Sequence, residues 1–226
     1  RFADFFLTER IDEIKPISVF VSGEKVAENG KILKRSPHVV PEKVEGAVRV
    51  KDLSLSLFSL PLTSDRARVI RILPGGVVTA KDEAVVKRDE RGEWVHEKDK
   101  DILKITVIER HNNTGYHASA LISGYGLKHG AIASTIAHDS HNIIVIGDND
   151  DDMLLAVKSL KEKGGGITLV MDNKELSYHR LEIAGLMTDE SVESVVECLD
   201  ELHRVVEEEM GGVNREIDPF MTLCFM

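Results

Sequence analysis

From Arg66 onward the chain sets one short aliphatic run after another, broken at close intervals by turn residues. Ala67–Leu73 alternates arginine with aliphatic side chains, Pro74-Gly75-Gly76 turns, and Val77-Val78-Thr79-Ala80 continues. Ala84-Val85-Val86, Trp94-Val95 and Ile102–Ile108 follow, with charged turns between them. Runs of this kind predict an antiparallel meander with one face in water. The front of the chain has the same character. Phe2–Leu7 reads as a strand, and Ile17–Val21 with Lys25-Val26-Ala27 reads as a hairpin turning at Ser22-Gly23-Glu24-Lys25. A lone hairpin is marginal in water, so this front piece is expected to belong to a sheet with strands elsewhere.

The second half changes character. Ala131–Ala137 and Ile143–Ile146 are short runs of the buried type. Asp150–Lys163 places Met153, Leu154, Ala156, Val157 and Leu160 on one helix face, with Asn149 and Asp148 as caps before it and Gly164-Gly165-Gly166 as its stop. Ile167–Met171 is expected to pair with Glu175–Tyr178 across an Asp172-Asn173 turn. Asp189 to about Met210 reads as a long amphipathic helix burying Val192, Val195, Val196, Leu199, Leu202 and Val206. Leu53–Leu57 alternates like a strand but has few anchors around it, and Tyr116–Gly126 carries no clear period. The fold class that results is α+β, a mainly antiparallel sheet with a few helices packed late in the chain. Pro37, Pro41, Gly46 and Pro61 punctuate a polar stretch over 34–65, and the expected division is residues 1–40, a connector over 41–65 and a domain over 66–226.

Composition narrows the function. With 39 acidic against 29 basic residues the net charge is −10, which argues against a nucleic-acid backbone or an anionic membrane as the main partner. No apolar run approaches the ~20 residues of a membrane helix. Two cysteines, Cys198 and Cys224, make no disulfide framework, and a reduced, cytoplasmic setting is expected. The chain opens at Arg1 without Met and closes on the apolar Leu223-Cys224-Phe225-Met226, so both ends are expected to continue into further chain.

Three polar passages could carry chemistry. His138-Asp139-Ser140-His141-Asn142 sits between two aliphatic runs, where polar side chains must be hydrogen-bonded or bind something. These residues offer imidazole donors or ligands, a carboxylate acceptor and an amide reader, yet Asp, Ser and Asn also cap turns in ordinary loops. His138 and His141 could share a metal with Asp139, but such a site needs a third protein ligand that is not evident. The second passage, Ile144–Met153, is similar to the late acidic motif of haloacid-dehalogenase-like phosphatases, where strand-end carboxylates hold magnesium, with Asp148, Asp150 and Asp152 in that place. The nucleophilic Asp-x-Asp of that family is missing, because Asp99-Lys100-Asp101 precedes a strand instead of following one. A helix N-terminus loaded with carboxylates is the simpler reading. The third passage is Glu109–Gly115 at the end of Ile102–Ile108, where His111 joins the candidates. No Gly-x-Gly-x-x-Gly or Gly-x-x-x-x-Gly-Lys loop occurs.

Taken in order, Pro74–Thr79, Glu109-Arg110-His111 with Thr114-Gly115, Gly130–Thr135, His138–Asn142, Asn149–Met153, Gly164–Gly166, Ile183–Met187 and Asp218–Leu223 resemble the C-terminal region of bacterial and archaeal adenine deaminases, members of the amidohydrolase superfamily. The likeness runs from about Arg66 to the end. Gly76, where a Gln is the family habit, and Asp148, where a small or hydrophobic residue is usual, depart from it. Ala3-Asp4 with Val19–Gly23 is similar to the small β-domain that flanks an amidohydrolase barrel. The resemblance implies a hydrolase converting adenine to hypoxanthine and ammonia through a metal-activated hydroxide, with two divalent ions, manganese or iron, held by a (β/α)₈ barrel of ~250 residues. No His-x-His ligand pair occurs in this chain, so the barrel is expected to be a missing partner and this chain alone inactive. His138, Asp139, Ser140, His141, Asn142 and His111 are the expected substrate-proximal residues, with no metal ligand and no confident catalytic group among them. A homo-oligomer is compatible with this reading. The alternatives are a non-catalytic binding or assembly module built on the same domain, and a magnesium-dependent phosphatase.

Overall fold

The computed structural model describes residues 2–35, 44 and 47–226; the turn residues Pro37, Pro41 and Gly46 lie outside them. The chain divides into two units, residues 1–40 and 41–226. In the first, β1 (Phe5–Thr8), β2 (Pro16–Val21), β3 (Glu24–Glu28) and β4 (Lys31–Ile32) form an antiparallel sheet in sequence order. The β2–β3 turn falls at Ser22-Gly23, both at positive φ, the geometry whose twist suits adjacent antiparallel strands. Phe5 pairs in register with Phe20 and stacks on it at 4.6 Å.

The second unit is built on one eight-stranded sheet. Its strands are β5 (Arg66–Ile72), β6 (Thr79–Val85), β9 (Ile102–Ile108), β10 (His117–Ser123), β11 (Ala131–Ser134), β12 (Ile143–Gly147), β13 (Gly166–Met171) and β14 (Lys174–Arg180). They lie in the order β14-β13-β11-β12-β9-β10-β5-β6. A two-stranded ribbon, β7 (Lys87–Arg88) with β8 (Trp94–Val95), stands apart from that ladder. The central strands are continuous apolar runs because both faces are covered. Ile144 and Ile146 point into a core closed by α2 (Val192–Glu208) and α3 (Pro219–Cys224). Ile143 and Val145 point into a second core closed by α1 (Asp150–Lys163) together with Val48, Val50, Leu57 and Phe58. A third cluster gathers Val69, Trp94 and Leu121 toward the β5 end. Among the described residues no helix is long and apolar enough to cross a membrane.

Helix α1 begins and ends as its sequence dictates. Asn149 accepts from the Asp152 amide at 2.9 Å, three aspartates fill the first turn, and Gly164 closes the helix at φ 86°.

Several local expectations are corrected. The meander is not sequential: β10, built from the small residues of the 116–126 passage, inserts between β9 and β5 and runs parallel to β5, with Leu121 opposite Val69. Val77-Val78 stays outside the ladder, and Ala84-Val85 belongs to β6 instead of forming a strand of its own. The Leu53–Leu57 stretch, which its period alone does not assign, contains a 3₁₀ turn at Leu55–Phe58 that drives Leu57 and Phe58 into the core. Helix α2 starts at Val192, and Val192 and Val196 are exposed. It packs chiefly on the edge strand β14, so its first turns have little sheet beneath them and only Leu202, Val205 and Val206 are sealed.

Ile146 is fully buried between β11, β9 and the α2 side of the core. Ile146→Ala is expected to cost about 2–5 kcal/mol in urea denaturation, whereas Val196→Ala on the exposed face of α2 should change stability by no more than about 0.5 kcal/mol. Equal costs would contradict the two-faced core.

Candidate functional site

The passage His138–Asn142 is the loop joining β11 to β12. The His138 amide donates to the Cys224 carbonyl at 2.6 Å, and the His141 amide to Ala137 at 2.7 Å. Asp139 and His141 adopt positive φ, 66° and 49°, a region that costs free energy for non-glycine residues although Asp and His enter it more readily than most. His138, Asp139 and Ser140 are exposed, while His141 and Asn142 are half-buried. The His138 ring stacks on Phe225 at 4.8 Å with an interplanar angle of 23°, and its Nδ1 lies 3.4 Å from Asp139 Oδ1. His111 joins the group, its Nε2 2.9 Å from the Ser140 carbonyl oxygen and so placed to donate to it. All six expected residues therefore belong to one neighbourhood. His141 Nδ1 and Asn142 Oδ1 are buried without a hydrogen-bond partner. Phe225 also lines a cleft of about 250 Å³ with Gly75, Val77, Ile217 and Met221, so the His138–Phe225 stack stands beside an apolar recess.

The residue that organises this loop is one that sequence reasoning passed over. Arg110 leaves the end of β9 with 1% exposure. Its Nε donates to the His141 carbonyl at 2.6 Å, and its Nη2 to Ala184 at 3.0 Å and Thr135 at 3.4 Å. Burial pulls the guanidinium below its usual pKa, though an arginine stays protonated there. The sequence did hold a signal: a cation placed directly after the buried run Ile102–Ile108. Beside it, Glu109 folds the next turn around its own carboxylate. It accepts from the amides of Thr114, Asn112 and His111 and from the Thr114 hydroxyl. Those bonds, led by the Thr114 and Asn112 amides, hold its pKa down to about 2.

The acidic passage after β12 is committed to the fold. Asp148 accepts from the Gly130 amide at 3.0 Å and from the Asn149 side chain at 2.7 Å. Asp152 accepts from the amides of Asp172 and Asn173, which fixes the β13–β14 turn. Asp150 pairs at 2.6 Å with Lys104, itself only 3% exposed. Three carboxylates engaged with amides and a lysine make this passage a helix cap and a turn clamp. Among the described residues no three His, Cys, Asp or Glu side chains are grouped to hold a metal ion.

His129 lies between two carboxylates, Nδ1 2.7 Å from Asp148 and Nε2 2.9 Å from Asp172. Both ring nitrogens face acceptors, so the imidazolium is favoured and the pKa rises, the Asp148 bond contributing most and the Asp172 bond next. A raised histidine pKa gives stability that is complete below the unfolded value of about 6.5 and is lost as pH climbs through the folded value. His129→Asn is therefore expected to lower the thermal midpoint at about pH 6, with the gap to the parent closing by about pH 9. A gap independent of pH would contradict the ion-paired imidazolium.

Residues 76–226 match the family described as adenine deaminase C-terminal domain. The chain is 46% identical to adenine deaminase 2 of Carboxydothermus hydrogenoformans over 224 residues, covering 99% of this chain and 39% of that protein. It is 42% identical to adenine deaminase 2 of Desulfotalea psychrophila with the same coverage. Against the adenine deaminase of Ligilactobacillus salivarius it is 40% identical over 226 residues, all of this chain and 39% of that one. The chain thus spans about 39% of the length of these curated relatives. It belongs to the adenine deaminase C-terminal domain family.

Proposed function

We propose that this chain is the C-terminal part of an adenine deaminase, which replaces the exocyclic amine of adenine with oxygen from water and releases hypoxanthine and ammonia. The observation that carries the reading is the β11–β12 loop. In a chain whose relatives bear the name adenine deaminase, it presents an exposed imidazole, stacked on an aromatic ring at the edge of an apolar cleft. A planar base suits such a surface, since stacked rings and a nearby hydrogen-bonding nitrogen recognise heteroaromatic edges and faces together. His138 Nε2 makes no hydrogen bond among the described residues and is available to a ligand.

The residues present do not fit the metal pair that the reaction class calls for. His138 Nδ1 is turned toward Asp139, His141 Nδ1 is buried, and the aspartates after β12 hold backbone amides and Lys104. We therefore place the metals, manganese or iron, in the barrel that would make up the rest of the enzyme, and assign to this chain the shaping and closing of the substrate's surroundings. The cytoplasm is the setting this reading favours, consistent with the free thiols of Cys198 and Cys224.

In a protein of the relatives' full length, His138→Ala is expected to lower kcat/KM for adenine at least tenfold, about 1.4 kcal/mol of transition-state stabilisation. The side chain is exposed, so the thermal midpoint should stay within about 2 °C of the parent. Asn142→Ala is expected to act in the same direction. Unchanged kcat/KM for both variants in stable proteins would remove the loop from the reaction.

A further inference from the structure

Arg110 poses a physical question that its packing answers. A buried guanidinium costs free energy unless its charge and donors are met. Among the described residues no carboxylate lies within ion-pair distance of it, and its side-chain hydrogen bonds all go to neutral carbonyls. An apolar side chain of similar length would fill the space at lower cost, so the fork's value lies in what it joins. Its acceptors come from two segments far apart in sequence: Thr135 and His141, which bracket the β11–β12 loop, and Ala184 in the turn 183–187. The Thr135 hydroxyl adds a second tie, donating to the Gly185 carbonyl at 2.5 Å. Gly185 stands at φ 70°, and a Cβ there would lie 3.0–3.1 Å from the guanidinium atoms, so this turn is shaped to let the arginine through. The loop it grips holds two non-glycine residues at positive φ, a conformation that surrounding contacts stabilise.

We propose that Arg110 is a positioning residue that locks the His138–Asn142 loop to the 183–187 turn as one unit, so that the loop's side chains meet the substrate in a fixed arrangement. The second half of this statement rests on the reading of that loop as substrate-facing; the lock itself does not.

The test is hydrogen–deuterium exchange by mass spectrometry, together with adenine turnover, on a protein of the relatives' full length carrying Arg110→Lys. Lysine keeps the charge but has a single nitrogen, so it cannot reproduce bonds that leave from both Nε and Nη2 of a planar fork. Amide exchange is expected to rise tenfold or more in residues 135–142 and in 182–187 together, with 150–163 unchanged, and kcat to fall at least tenfold. Gly185→Ala, which presses a Cβ against the guanidinium, should give the same paired pattern and serves if Arg110→Lys does not fold. Loosening of one segment alone, or of the whole sheet uniformly, would overturn the lock. Paired loosening with kcat unchanged would overturn the positioning role. A parent protein that does not deaminate adenine would sink the proposed function, and the exchange pattern would still decide the lock.

Discussion

Burial of both faces of β9, β11, β12 and β13 is the constraint on which the larger unit depends. Four consecutive residues of β12, Ile143–Ile146, alternate between two cores, and each is fully buried. Such a strand cannot stand at a wet surface, so helices must cover both sides, α1 on one and α2 with α3 on the other. Polar chemistry is thereby pushed to strand ends. On β9 itself the exceptions are matched in pairs: Lys104 meets Asp150, and Thr106 meets Ser119 at 2.8 Å. The loop at the end of β11 and the turn at the end of β9 then carry the groups that face outward.

Those strand ends are held by charged side chains acting on backbone. Glu109 organises three amides of its turn, Asp148 and Asp152 secure the entry to β11 and the β13–β14 turn, and Arg110 grips three carbonyls. Hydrogen bonds with one ionised partner are stronger than neutral ones and are costly to break when sheltered from water. Part of the acidic excess of the composition is thus structural, fastening loops around a core with little polar material of its own.

What could be read from the sequence follows from how local each signal is. Helix α1 was legible down to its Asn149 cap and Gly164 stop, because capping acts within a few residues. The central strands were legible because β-branched runs bounded by turn residues have few other uses. Pairing order was not: nothing in Ala118-Ser119-Ala120 says that β10 slips between β9 and β5. The short α3, started by Asp218-Pro219, spans only six residues and was missed. Leu53–Leu57 shows how a period of two over so few residues fits a 3₁₀ turn as readily as a strand. At the site, the His138–Asn142 loop stood out because polar residues between buried strands demand a reason. Arg110 did not stand out, although it sits in the Glu109-Arg110-His111 motif, because its role lies in carbonyls 25 to 74 residues away.

Under the proposed function, this chain supplies the surroundings of a deamination whose chemistry lies in another part of the enzyme. Hypoxanthine formation from adenine, followed with added manganese or iron, tests it most directly on two samples: this 226-residue chain, and a protein of the relatives' full length that contains it. Turnover by the longer protein and none by the chain alone is the predicted result. Metal-dependent turnover by the 226 residues alone would contradict the account.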